Sequence, residues 1–188
     1  MSEELSCFKA YDVRGRVPDQ LNEDIAYRIG RAYAEVIKPR SVAVGHDIRL
    51  SSPQLCEALS NGLRASGVNV DFIGQCGTEE IYFAAFNEDV DGGIVVTASH
   101  NPADYNGMKF VREGARPISG DTGLFDIKAI AESSAFTLSG NGAFREISTR
   151  DKYLEHLLGY IDSATLRPLK IVVNAGNGGA GMVIDAIE

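Results

Sequence analysis

The residues with the most chemistry in them are Thr97-Ala98-Ser99-His100-Asn101-Pro102. They follow Gly93-Ile94-Val95-Val96, an apolar stretch that predicts a buried strand over 93–98. A serine just past the carboxyl edge of such a strand stands where open α/β sheets hold their ligands. Asn-Pro closes the run, so an ordered turn with an exposed hydroxyl is expected. A histidine and an amide follow the hydroxyl at once, a set able to hold an anionic group on or beside Ser99. The same six residues also read as an ordinary turn in which Ser99 bonds its own backbone.

The neighbouring cations bear on that choice. Lys109 lies ten positions past Ser99, and Arg112 and Arg116 follow. Asn106-Gly107 is a hairpin signal, so Met108–Arg112 is expected to run back antiparallel to 93–98 as a sheet edge, returning Lys109 toward the serine. An early loop, Tyr11-Asp12-Val13-Arg14-Gly15-Arg16, adds two more cations, or a turn in which Asp12 and Arg14 pair. Ordinary serine hydrolysis fits this inventory less well. There is no G-x-S-x-G elbow, and His100 directly follows Ser99, which hinders triad geometry. Phosphoryl transfer asks less of a base and more of positioning and positive charge.

The elements that must position these groups alternate. Asn22–Lys38 predicts a helix, capped by Asn22 and stopped by Pro39, with Ile25, Ile29, Ala32 and Val36 on its apolar face. Val42-Ala43-Val44 predicts a short strand. Ser52, as cap, and Pro53 open a second helix with a Leu55/Leu59/Leu63 stripe, ended by Gly67. Residues 68–73 alternate as a strand, and Thr78–Phe86 and Gly123–Ala131 read as helices. This order implies an α/β fold: three layers, helix/mixed and mostly parallel sheet/helix. Residues 133–149 read as a linker. Beyond it a helix around Leu154–Ile161, a strand at Lys170–Val173 and a glycine-rich turn into a helix would be the truncated start of a second α/β domain. The expected division is 1–148 and 149–188.

The whole-chain numbers narrow the partners. The chain has 188 residues, 44% of them hydrophobic and 23% charged, as in soluble globular proteins. A net charge of −8 argues against nucleic acid and anionic membrane. An anionic small substrate then needs a local basic pocket. Cys7, Cys56 and Cys76 are odd in number and form no C-x-x-C pair, so neither a disulfide framework nor a zinc site is expected. No stretch is long enough to span a membrane, and the acidic Met1-Ser2-Glu3-Glu4 lacks a signal-peptide core. The expectation is a cytoplasmic protein. Gly176-Asn177-Gly178-Gly179-Ala180-Gly181 matches the dinucleotide fingerprint G-x-G-x-x-G, which makes a dinucleotide-dependent oxidoreductase an alternative. The acidic residue expected about 20 positions on would fall past Glu188.

Three segments carry a resemblance. Phe8-Lys9-Ala10-Tyr11-Asp12-Val13-Arg14-Gly15, Thr97–Pro102 and Tyr105-Asn106-Gly107-Met108-Lys109-Phe110 resemble the α-D-phosphohexomutases, closest to the bacterial phosphomannomutase/phosphoglucomutase branch. Val173-Asn174-Ala175-Gly176-Asn177-Gly178 resembles the start of that family's second domain. The resemblance implies interconversion of hexose 1- and 6-phosphates of mannose or glucose. Ser99 would carry the phosphoryl group and pass it through a bisphosphorylated sugar. By the same resemblance Lys109 is the general acid/base, His100 and Asn101 flank the phosphoserine, and Tyr11 and Arg14 line the site. Mg²⁺ is implied, with Ser99 its one contact within this chain and its acidic loop expected beyond Glu188. Hexose 1,6-bisphosphate is implied as intermediate and activator. Family members are more than twice as long, so the chain alone is expected to fold without turning over. The alternative in another class is a non-catalytic domain that binds a phosphorylated ligand.

Overall fold

Asn22 begins the first helix by accepting a hydrogen bond from Ile25 N at 3.0 Å on its side-chain oxygen. Glu23 and Asp24 fill the first turn, where the helix dipole favours negative charge. The structure, a computed structural model, describes residues 4–188, so the opening Met1–Glu3 lies outside it. This helix, α1 (Glu23–Ile37), ends where Lys38 turns left-handed ahead of Pro39. Strand β1 (Val13–Arg16) precedes it, and β2 (Ser41–His46) and α2 (Ser52–Ala65) follow. Next come β3 (Asn69–Gln75), α3 (Thr78–Asn87), β4 (Gly92–Val96), β5 (Tyr105–Arg112) and β6 (Arg116–Pro117). The chain continues through α4 (Leu124–Ser133), β7 (Phe144–Glu146), α5 (Arg150–Leu158) and α6 (Gly181–Ile187).

Among the described residues the strands form one mixed sheet in the order β1-β5-β4-β2-β3-β7, with β6 on β5. The pairs β4–β2, β2–β3 and β3–β7 are parallel, and those of β5 with β4, β1 and β6 are antiparallel. The strands alternate between two cores. Val42, Val44, Ile94, Val96, Met108 and Phe110 face α1, α2 and α4. Ala43, Val95 and Val111 face Ile81, Ala84 and Ala85 of α3. This is the expected three-layer α/β arrangement, since a sheet strand shows successive side chains to opposite faces. Helices α1 and α2 touch through glycines. An added Cβ would lie 2.3 Å from Leu59 O at Gly30 and 2.2 Å from Tyr27 O at Gly62.

Several local expectations are corrected. Asn106-Gly107 is not the hairpin turn but part of β5, pairing with Gly15 and Arg14 of β1. The turn is the serine loop itself, residues 97–104, because β5 is not an edge but an inner strand held on both sides. Gly107 serves close approach: a Cβ there would meet Val13 O at 2.0 Å. Strand β4 ends at Val96 rather than 98. The cap position of α2 is Ser51, not Ser52, whose hydroxyl is drawn away to Asp47 Oδ1 at 2.5 Å.

The segment 133–149 is no free linker. Glu35 of α1 accepts from the backbone of Thr137 and Leu138, Arg31 stacks 4.7 Å over Phe136, and β7 extends the sheet. Helix α5 then lies on α3, where Arg150 Nε meets the buried Glu80 at 2.9 Å. Lys170–Val173 forms no strand and is exposed. A strand needs a partner for its amides and carbonyls, and no neighbour is paired with it among the described residues.

Candidate active site

The site is built on the end of β4. Thr97 N donates to Gly107 O at 2.9 Å, which keeps the chain in the sheet for one more residue. It then reverses. Ser99 sits in the left-handed region at φ 52°, and its N–H is capped by Thr97 Oγ1 at 2.9 Å. Asn101 N closes the turn on Ala98 O at 3.0 Å. A non-glycine residue in that region costs about 1–3 kcal/mol, and such residues gather at functional sites. The turn leaves Ser99 and His100 exposed while Thr97 and Ala98 are buried. Ser99 Oγ lies 3.3 Å from His100 Nδ1, at the long end for a hydrogen bond.

One of the expected cations grips this turn, and a second reaches the carboxylate that pairs with it. Arg14 Nη1 donates to Asn101 Oδ1 at 2.8 Å and to Ala98 O. Its Nε and Nη2 reach Asp12 Oδ2 at 3.1 and 3.0 Å, so the Asp12–Arg14 pair forms and serves the loop as well. Lys109 Nζ stands 3.5 Å from the same Asp12 oxygen. The register explains this. Gly107 faces Arg14 and Met108 faces Val13, which brings Lys109 beside the residue before β1. Tyr11 is exposed at the tip of this loop, without a hydrogen bond among the described residues.

Arg112 and Arg116 do not join them. Arg112 pairs in register with Gly92, at the far end of β4, and donates to Thr122 O, while Arg116 pairs with Glu113. Running back along β5 carries these residues away from the serine.

The sequence reading missed Arg49. It follows β2 at the same sheet edge, and its guanidinium reaches across to the serine loop. Nη1 donates to Pro102 O at 2.7 Å and Tyr105 O at 2.9 Å, and Nη2 to Ser99 O at 3.0 Å and Asn101 O at 2.5 Å. Behind it, Asp47 accepts from Arg49 N at 3.0 Å and from Ser52 Oγ, and Asn106 Nδ2 donates to Ser51 and Ser52 at 2.8 and 2.9 Å. The available signal was position. The rule that marks Ser99 at the carboxyl edge of β4 marks Asp47 and Arg49 at that of neighbouring β2.

Beside the loop opens a cavity of about 900 Å³, lined by Thr97, Ser99 and Asn101, by Arg49, and across from them by Gly178 and Gly179. The glycine turn thus borders the serine's cavity, but without the preceding strand that a dinucleotide fingerprint requires. Cys76 also lines the cavity, yet burial pushes its thiol pKa far up, and Cys7 and Cys56 are pushed up to about 11 and about 12 by burial. None of the three is an activated nucleophile. Ser99, by contrast, presents an exposed hydroxyl to the same cavity.

A magnesium site is not complete in these residues. Mg²⁺ demands near-octahedral oxygen ligands, Ser99 offers one, and Asp12 is engaged by Arg14 and Lys109. Among the described residues no group of three or more His, Cys, Asp or Glu is gathered for a metal, and no helix is long and apolar enough to cross a membrane.

Known proteins are similar to this chain in sequence and fold. Residues 6–138 match the family description "Phosphoglucomutase/phosphomannomutase, alpha/beta/alpha domain I". A phosphomannomutase of Salmonella typhimurium is 63% identical over 187 residues, which are 98% of this chain and 41% of that protein. One from Vibrio cholerae is 54% identical, over 99% of this chain and 42% of its own length. A crystal structure of a phosphoglucomutase/phosphomannomutase family protein from Burkholderia thailandensis superposes with a TM-score of 0.90 at 40% identity, covering all of this chain and 42% of that one. The chain spans about two fifths of the length of these relatives. With the serine turn, its sheet and the match over 6–138 agreeing, the chain belongs to the phosphoglucomutase/phosphomannomutase family.

Proposed function

We propose that this chain carries the phosphoryl-transfer serine of a phosphohexomutase that interconverts hexose 1- and 6-phosphates of mannose or glucose. The observation that carries the reading is Ser99 itself: an exposed hydroxyl held left-handed at the carboxyl edge of β4, with Arg14 bonded to its turn and Lys109 linked to Arg14 through Asp12. In the forward step the bond from phosphorus to Ser99 Oγ breaks and one to a sugar hydroxyl forms. Lys109, as the neutral amine, takes the hydroxyl's proton, and His100 gives a proton to the departing serine oxygen. The bisphosphorylated sugar turns over in the site, and the reverse step returns its other phosphate to Ser99. Arg14 and Asn101 hold the turn, and Tyr11 stands at the rim for substrate. A covalent carrier splits one difficult transfer into two easier ones.

The proposal includes hexose 1,6-bisphosphate as intermediate and a Mg²⁺ to which Ser99 gives one oxygen. The remaining ligands would come from protein outside residues 4–188. Three unpaired, buried thiols support a reducing, cytoplasmic setting. The test is peptide mass spectrometry on the full-length protein after incubation with glucose 1,6-bisphosphate and Mg²⁺. Phosphate is expected on Ser99 and lost in Ser99→Ala. Phosphate found only on other residues overturns the reading.

A further inference from the structure

We propose that Arg49 is the positioning residue for Ser99, the counter-charge on which the phosphoryl-carrying loop is folded. This rests on the reading of Ser99 as phosphoryl carrier. A guanidinium has five N–H donors in a rigid fork. Both protons of Nη1 are used by Pro102 O and Tyr105 O, and both of Nη2 by Ser99 O and Asn101 O. Nε faces Asp47 Oδ2 at 3.5 Å, an ion-pair contact. Nε makes no hydrogen bond but is shut away from solvent, so four donors are taken by carbonyls and the fifth is buried, and the side chain is 14% exposed. Arg49 lines the substrate cavity and has no donor left for a substrate phosphate.

What those donors hold is specific. Four carbonyls of one loop, from Ser99 to Tyr105, point at a single centre. Their oxygens repel one another and converge only around a cation. The Ser99 carbonyl is one of them, so Arg49 fixes the peptide that follows the left-handed residue and with it the direction of Oγ. Arg14 grips the opposite side of the turn, at Ala98 O and the Asn101 side chain. The loop is held between two arginines from β1 and from the end of β2, and neither grip replaces the other. The base of Arg49 is equally determined, since Asp47 accepts its backbone N–H and is itself held by Ser52 and, through Ser52, by the buried Asn106. Lysine has three donors on a flexible stem and cannot span four carbonyls, so Arg49→Lys is a severe change here.

The experiment compares wild type, Arg49→Lys and Asp47→Asn by hydrogen exchange, backbone NMR and Ser99 phosphorylation, the last measured in the full-length protein with Mg²⁺. In Arg49→Lys, amides of 97–105 are expected to exchange at least about tenfold faster while those of α1 and β4 are unchanged, the mark of local rather than global opening. The carbon shifts of Ser99 are expected to lose their left-handed signature. Asp47→Asn moves both readouts in the same direction by less. Phosphorylation of Ser99 by glucose 1,6-bisphosphate should fall about a hundredfold in Arg49→Lys, the scale of a 1 Å misplacement. Unchanged exchange and shifts in 97–105 overturn the proposal, as does a rise spread evenly over the whole chain. Wild type that takes no phosphate on Ser99 overturns the phosphohexomutase reading instead, and leaves the exchange and shift results to judge Arg49.

Discussion

Replacing Asn106 by alanine tests the frame beneath the serine loop. Asn106 is fully buried between β1 and β4, and its side chain makes three hydrogen bonds: to Ser51 Oγ, to Ser52 Oγ and from Gly107 N at 2.8 Å. Each is worth about 1 kcal/mol net, so Asn106→Ala should cost about 3 kcal/mol. That is a large fraction of the ~5–15 kcal/mol that holds a domain folded. At roughly 2–4 °C per kcal/mol for a chain of this size, the midpoint should fall by about 6–12 °C. The chain has no tryptophan, so unfolding is followed in urea by circular dichroism at the helix band. Ser51→Ala removes one of the three bonds and should cost about 1 kcal/mol. The double variant should cost less than the sum, because the Ser51 bond is counted twice. A loss within the ~0.5 kcal/mol of ordinary surface changes would refute the network, and so would strict additivity.

Lys109→Ala in the active enzyme should lower kcat by ~10²–10⁴-fold if the lysine moves protons. A raised KM with constant kcat, read by steady-state kinetics, would make it a phosphate binder instead. Gly62→Ala should destabilise the chain by at least ~1–3 kcal/mol, because the new Cβ would stand 2.2 Å from Tyr27 O and force α1 and α2 apart. Urea midpoints check this, and an unchanged midpoint contradicts the helix contact. Asp91 gives a pH dependence. Burial alone would raise its pKa, but hydrogen bonds from the Arg40 side chain and from the N–H groups of Arg40 and Ser41 lower it on balance. Its contribution is fully present above the ordinary carboxylate value of ~3.9 and is lost as pH falls through the lower folded-state value. Asp91→Asn should remove that acid-side slope from a series of urea midpoints.

What the sequence determined by itself is whatever depends on neighbours within a few residues. The 3.6-residue stripe and Asn22 were enough for α1, because capping and amphipathicity act within a few turns. The apolar run before Thr97 was enough to place Ser99 past a buried strand, and the exposed serine turn followed from Asn-Pro. The Asp12–Arg14 pair was legible for the same reason. Only the tertiary structure decided the rest. Asn106-Gly107 has the composition of a turn, yet β1 lies against it, and Gly107 is spent on the close approach of Val13 O. Lys170–Val173 has the composition of a strand, yet among the described residues no paired neighbour satisfies its backbone. Residues 133–149 look like linker, yet Glu35 and Arg31, a hundred positions earlier, bind them to α1. Arg49 looks like any surface charge beside Asp47, because its acceptors lie 50–56 positions away along the chain. Backbone pairing and the convergence of carbonyls on one cation are properties of distance in space, which local spacing along the chain does not encode.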